Sequence, residues 1–210
     1  RIEHANQYIN STAGEFPNFE FIEHLQKALS KDEGTIFKFA THENTILNAI
    51  RAQLKASSAP NKESLVSFIE SISHPTKDNP DQWAVPPRKF NKGTRDMVDL
   101  CKVVKNYYYN PHTFGSNSIK KVLPAVLKSS QFVQEKYSKP IGAIGVSSKN
   151  LPDDHIWLTK QENEIISPYK TLPPVHKNIS QEEIEARLSN IDNIDDGGAA
   201  LTAYGKIQYT

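Results

Sequence analysis

Cysteine and methionine are almost missing from this 210-residue sequence, at one each, Cys101 and Met97. A lone cysteine excludes an intramolecular disulfide and any cysteine-rich zinc or iron–sulfur site. Long apolar runs are missing too. No window approaches the about eighteen uninterrupted apolar residues that a spanning helix needs. Charge of one sign is lacking, with 25 Lys and Arg against 24 Asp and Glu. That balance gives no general electrostatic case for nucleic acid or an anionic membrane. An initiator Met and a signal-peptide pattern are also absent from the start Arg1-Ile2-Glu3-His4, so the chain reads as a cytoplasmic piece of a longer polypeptide. What is present is length enough for one ordinary core, 37 % apolar residues and thirteen prolines.

The pattern alternates helices and short strands. Residues 1–10 alternate loosely, as a strand closed by Ser11-Thr12-Ala13-Gly14. Asn18 is expected to cap a helix carrying Phe19, Ile22, Leu25 and Leu29. Residues 35–39 form a short β-rich run, and from Glu43 the positions Ile46, Leu47, Ile50 and Leu54 return to helical spacing. This is the grammar of an α/β sheet with packed helices. A small helix spans Leu65 to Ile72, and residues 74–94 read as a long loop, an insertion or a lid. Residues 95–99 suggest another strand, followed by a helix from Leu100 to Tyr108 with Asp99 as its N-cap. Ser116 or Asn117 is expected to cap the next, with Ile119, Val122, Leu123 and Val126 on one face and Pro124 as a kink or turn. Residues 129–180 have little periodicity and read as a surface excursion. A helix resumes near Ser180, where Ser180-Gln181-Glu182-Glu183 has capping-box spacing, and a last one starts near Asp196.

Chemistry-bearing constellations are few. The seven histidines lack metal-clamp spacing and read as scattered surface residues, His42 beside Glu43 being the exception. Nucleophile-elbow, phosphate-loop and dinucleotide patterns are absent. Carboxylates remain. Glu43 falls just past one strand and Asp99 just past another, where α/β proteins place their sites. Asp195 and Asp196 precede Gly197-Gly198-Ala199-Ala200, small residues that would let a helix approach a sheet closely. Converging, these acids would make a hard oxygen site for Mg²⁺ or Mn²⁺, suited to phosphodiester cleavage. Alternatively Asp99 is an N-cap, and Asp195 or Asp196 a helix-start acid favoured by the macrodipole. A second patch joins Lys102, Lys105, Tyr107, Tyr108 and Tyr109 with Lys120, Lys121 and Lys128. It suits either a nucleic-acid strand or a snorkelling lysine face with packed tyrosines. Trp83 and Trp157 are expected to pin their loops.

The run from Met97 to Pro111, the run Gly115-Ser116-Asn117-Ser118-Ile119-Lys120-Lys121-Val122-Leu123-Pro124-Ala125, and Asp196-Gly197-Gly198-Ala199-Ala200 with Tyr204 together resemble the bacterial family called domain of unknown function 2779. Residues 56–94 and 130–190 then read as insertions within a single partial domain, 1–210. That family resembles divergent ribonuclease H-like, proofreading-type 3′–5′ exonucleases, whose fold is a mixed sheet flanked by helices. The resemblance implies a metal-dependent nuclease acting on DNA or RNA, with Glu43 and Asp196 as catalytic metal ligands and Asp99 or Asp195 in support. It also implies nucleic-acid contacts through Lys120, Lys121 and Tyr108, and an upstream nuclease region in the same polypeptide. Two departures stand out. No Asp-x-Glu first motif precedes Glu43, as though the first strands were missing. Asp192 and Ile191 stand where the third motif has its His or Tyr base. The isolated chain is therefore expected to be inactive. The alternative is a non-catalytic nucleic-acid-binding or protein-interaction module on the same fold.

Overall fold

The computed structural model describes residues 2–3, 6–76, 84–85, 89–90, 92–148, 151–162, 164–170, 200–201 and 204–205. These residues are mixed α and β, and the chain divides into two compact units, residues 17–122 and residues 1–16 with 123–210.

The core of the 17–122 unit is three helices: α1 (Asn18–Leu29), α2 (His42–Ala56) and α3 (Lys62–Ile72). Each has an apolar stripe at three- and four-residue spacing. On α2 it is Leu47, Ile50 and Leu54; on α3 it is Leu65, Phe68, Ile69 and Ile72. These close on Ile22 of α1 and on Met97 in one buried cluster. A fully buried Leu or Ile contributes about 1.5–3 kcal/mol, so this cluster dominates the unit's stability. The α2 stripe also carries Asn44, Asn48 and Arg51, all nearly inaccessible. Arg51 is paired with Glu70 of α3, which spares its buried charge from standing alone. Asn18 is the first residue of α1 rather than its cap; Pro17 takes the cap position, and the Asn18 amide donates to Gln53 Oε1 at 2.9 Å.

At the edge of these helices β2 (Phe37–Lys38) pairs in parallel with β5 (Val98–Asp99), Phe37 opposite Val98 and Lys38 opposite Asp99. The usual alternation is inverted here. Phe37 is 58 % and Val98 39 % exposed, whereas Lys38 is 5 % exposed. Residues 74–94, read from sequence as loop, hold a two-stranded antiparallel pair, β3 (Ala84–Val85) with β4 (Lys89–Phe90). Helix α4 (Leu100–Tyr107) follows β5 directly, with Asp99 at its N-cap as expected. Its apolar face, Leu100, Val103 and Tyr107, is exposed, and no residue of α4 is buried. The division between the units falls inside α5 (Ile119–Ser129), which retains Pro124 in its interior. The carbonyl of Ser118 accepts from Lys121 and Val122, one residue past the expected caps. Val122, Ala125 and Leu127 are the buried positions, and Ile119 and Leu123 stay exposed.

In the other unit β1 (Ile2–Glu3) pairs in parallel with β6 (Val146–Ser147). Residues 130–170, read as part of a surface excursion, carry α6 (Gln131–Tyr137) and an antiparallel pair, β7 (Lys160–Gln161) with β8 (Glu164–Ile165). Ile141 and Leu158 are buried there, held by bonds from Ile141 N–H to the His155 carbonyl and from Leu158 N–H to the Tyr137 carbonyl. Trp157 lines a largely apolar hollow of about 360 Å³ with Leu127, Tyr137 and Tyr169. Burial pushes the Tyr169 phenol above its usual range.

The sequence leads one to expect a single mixed sheet; among the described residues strands of two residues pair two by two. Each pairing matches only two residues with two, a short ladder for recruiting a third strand. No described helix is long and apolar enough to cross a membrane. The expected helix at Ser180, the start of the last helix, Asp195 and Asp196 lie outside the described residues; Ala200, Leu201, Tyr204 and Gly205 are helical.

Candidate functional site

Two parallel strands end at the same edge, and both leave that edge into a helix. After β2 the chain turns through Ala40, whose φ of +79° lies in the left-handed region that a β-carbon disfavours. Two side chains hold it there. Lys38 Nζ donates to the Ala40 carbonyl at 2.7 Å, and the Ala40 N–H donates to Asp99 Oδ1 at 3.0 Å. The same Oδ1 accepts from Cys101 N–H at 2.9 Å and Lys102 N–H at 3.4 Å, capping α4. Asp99 Oδ2 faces Lys38 Nζ at 3.8 Å, with the side chains 7 % and 1 % exposed. Burial alone would raise the Asp99 carboxyl. The N–H groups of Ala40 and Lys102, the Lys38 charge and the Cys101 N–H outweigh it and hold the carboxyl below its ordinary 3.8.

Glu43 lies in the first turn of α2, exposed, making no hydrogen bond or ion pair among the described residues. The structure puts Glu43 past the end of β2, as the sequence leads one to expect, whereas Asp99 is the last residue of β5 itself, and the two are in different chemical states. Glu43 offers a free carboxylate, while the lone pairs of Asp99 are spent on three N–H groups and a buried ammonium. Among the described residues no group of three or more His, Cys, Asp or Glu is placed to hold a metal. This donor set does not by itself form a hard-cation site.

A second cluster was not legible in the sequence. His74 Nδ1 and Asp96 Oδ1 are 2.7 Å apart, the two side chains 28 % and 14 % exposed. The pair lines a cleft of about 590 Å³ with Lys92, Thr94, Asp99 and Lys102. Twenty-two residues of separation leave no spacing signal. The nearest clue is that His74 lies two residues past the end of an amphipathic helix.

The basic and aromatic patch is distributed differently from expectation. Tyr107 and Tyr109 are 84 % and 90 % exposed and Phe114 is 85 % exposed, whereas Tyr108 is half-buried at the C-cap of α4. Lys102, Lys105 and Lys121 are exposed and Lys120 half-buried.

The family described as "Domain of unknown function (DUF2779)" matches residues 1–118, somewhat more than half of the chain. No curated protein and no solved structure matches it.

Proposed function

The chain belongs to the DUF2779 family, and from that premise we propose that it is a nucleic-acid-binding domain on a divergent ribonuclease H-like fold. The observation that carries this reading is the bare presentation of Tyr107, Tyr109 and Phe114 in the same stretch of chain as the exposed Lys102, Lys105 and Lys121. Aromatic faces left in water gain from stacking bases, about 1–3 kcal/mol per base. Lysines interleaved with them contact the phosphates that run between those bases. Single strands suit the arrangement, because their bases are free to splay onto the rings.

Titration of a labelled single-stranded oligonucleotide by fluorescence anisotropy tests it. Replacing Tyr107 and Tyr109 together by Ser should weaken binding roughly tenfold or more. The affinity should fall with salt at a slope of roughly −2 for three phosphate contacts. Equal binding by the double variant and the parent chain refutes the assignment.

A second reading, metal-dependent hydrolysis of phosphodiester bonds in DNA or RNA, is favoured by Glu43, a free carboxylate beyond the end of β2 at the edge shared with β5. On this reading Glu43 and Asp196 are ligands of Mg²⁺ or Mn²⁺, Asp195 supports them, and an upstream nuclease region of the same polypeptide is a partner. Asp99, engaged as a cap, serves the site as scaffold. Cleavage with Mn²⁺ by the full-length polypeptide, lost in its Glu43→Gln and Asp196→Asn variants, is the expected result; equal cleavage by all three removes this site.

A further inference from the structure

The residues from Gly93 to Met97 are laid against the end of α3 by backbone bonds and by the packing of Met97 in the buried cluster. Gly93 N–H donates to the Ser73 carbonyl (2.9 Å), Arg95 N–H to Ser71 (2.8 Å) and Met97 N–H to Ile72 (3.1 Å). His74 is gripped independently from α2. Its N–H donates to Asn44 Oδ1 (3.0 Å), and its carbonyl accepts from Asn44 Nδ2 (2.9 Å) and Asn48 Nδ2 (3.0 Å). Both asparagines are 2 % exposed. With the two segments already fixed through their backbones, the contact between the His74 ring and Asp96 is not needed to join them. Its effect is on the ring. A carboxylate at Nδ1 selects the tautomer with hydrogen on that atom and leaves Nε2 as a proton acceptor. Nε2 has no partner among the described residues. This is the orienting role a carboxylate plays for a catalytic imidazole.

The surroundings narrow the chemistry. Asp99, which also lines the cleft, is neutralised by Lys38. The charged groups that remain to meet a ligand are Asp96, already on the imidazole, and the ammonium groups of Lys92 and Lys102. An oriented base beside two cations suits an anionic substrate that needs a proton removed. Water is a poor nucleophile toward an unassisted phosphodiester, and one base does little to help it. RNA carries its own nucleophile, the 2′-hydroxyl next to the phosphate, and intramolecular attack gains effective molarities of about 10⁵–10⁸ M.

We propose that this cleft is a metal-independent RNA-cleaving site with His74 as general base and Asp96 as its positioning residue. The proposal rests on the nucleic-acid reading above. His74 Nε2 takes the proton of the 2′-hydroxyl, and the 2′-oxygen forms its bond to phosphorus. The bond from phosphorus to the 5′-oxygen breaks, and that oxygen takes a proton from water; the hydroxide so formed is neutralised by the proton released from His74. Lys92 and Lys102 balance charge on the phosphoryl oxygens. The products are a 2′,3′-cyclic phosphate and a 5′-hydroxyl.

The test uses the whole chain in EDTA with single-stranded RNA and DNA of one sequence. RNA should be cut to cyclic-phosphate ends and DNA left intact. His74→Gln should lower kcat a hundredfold or more with little change in KM. Asp96→Asn should lower kcat with little change in KM, because the imidazole loses the carboxylate that fixes its tautomer and orientation, and Asp96→Glu should recover part of the loss. A purely structural pair would leave kcat in place in a folded Asp96→Asn variant. Lys102→Ala, at an exposed position, gives a variant whose slower cleavage owes nothing to misfolding. RNA bound but uncut in EDTA overturns this site and leaves the binding reading standing. RNA neither bound nor cut overturns both. Cleavage undiminished in His74→Gln overturns the assignment of the base.

Discussion

Replacing Asp99 should be among the most damaging single changes outside the apolar core, and its cost divides into two parts. One is the cap. Oδ1 receives the N–H groups of Cys101 and Lys102 at the start of α4, and loss of such a cap costs about 1 kcal/mol. The other is charge. The Lys38 side chain is 1 % exposed and faces Asp99 Oδ2 at 3.8 Å, and removing one partner of a buried pair costs about 3 kcal/mol. Asp99→Ala should thus destabilise the 17–122 unit by about 4 kcal/mol, a large share of the about 5–15 kcal/mol typical of a domain. Asp99→Asn retains an acceptor at the cap and should lose only the charge part. Adding Lys38→Met to Asp99→Asn should recover most of that loss, since no buried ammonium then stands alone. Equilibrium urea unfolding at neutral pH, followed by far-ultraviolet circular dichroism, measures all three. The pH dependence carries a sign. The carboxyl is held below its ordinary 3.8 in the folded chain, so its contribution is complete above that value and lost as pH falls through the lowered one. Asp99→Asn should lack that part of the acid limb. If Asp99→Ala unfolds within about 0.5 kcal/mol of the parent, the account of this carboxylate as cap and counter-ion is wrong.

Three further outcomes follow from the same unit. A β-carbon on Gly93 would overlap the carbonyl oxygens of Ser71 and Glu70, so Gly93→Ala should cost about 2 kcal/mol or more, read by urea unfolding, and disturb the cleft that this segment lines. Ala40→Gly should stabilise by up to about 1 kcal/mol, because glycine adopts the positive φ without strain; a loss in thermal melting would show that the turn is not strained. Asn44→Ala should cost about 2 kcal/mol by leaving the partly buried His74 N–H without its acceptor, with the His74 amide losing protection in hydrogen exchange.

The helical half of the 17–122 unit is legible because burial repeats at three and four residues. Leu47, Ile50 and Leu54, and likewise Leu65, Phe68, Ile69 and Ile72, are spaced for one face. Asp99 as a cap is legible for a similar reason, a short acid standing between a β-rich run and an amphipathic one. What escapes is everything decided by contact between distant residues. The pair β3 and β4 has two residues per strand, too few to express an alternation. The buried positions of 130–170 sit singly among loops, so no period marks Ile141 or Leu158. His74 and Asp96 meet only because α3 ends where the approach to β5 passes. The patch of tyrosines and lysines could be read as a cluster, but which rings stand free depends on where α4 ends. Tyr108 is half-buried at the C-cap, and its two neighbours are exposed.

The inverted β2–β5 pair has a consequence for strand register. Side chains alternate across a strand, so slipping either partner by one residue would exchange the faces of Phe37 and Lys38. Hydrophobicity alone would favour the slipped arrangement, with the phenyl ring inside and the ammonium in water. What opposes it is polar: the carboxylate of Asp99 and the carbonyl of Ala40 are set where only the observed register can satisfy Lys38. The ion pair therefore works as a key for the pairing as much as a contribution to stability. Acid strong enough to protonate Asp99 removes that key, leaving a short aromatic edge free to pair with another chain.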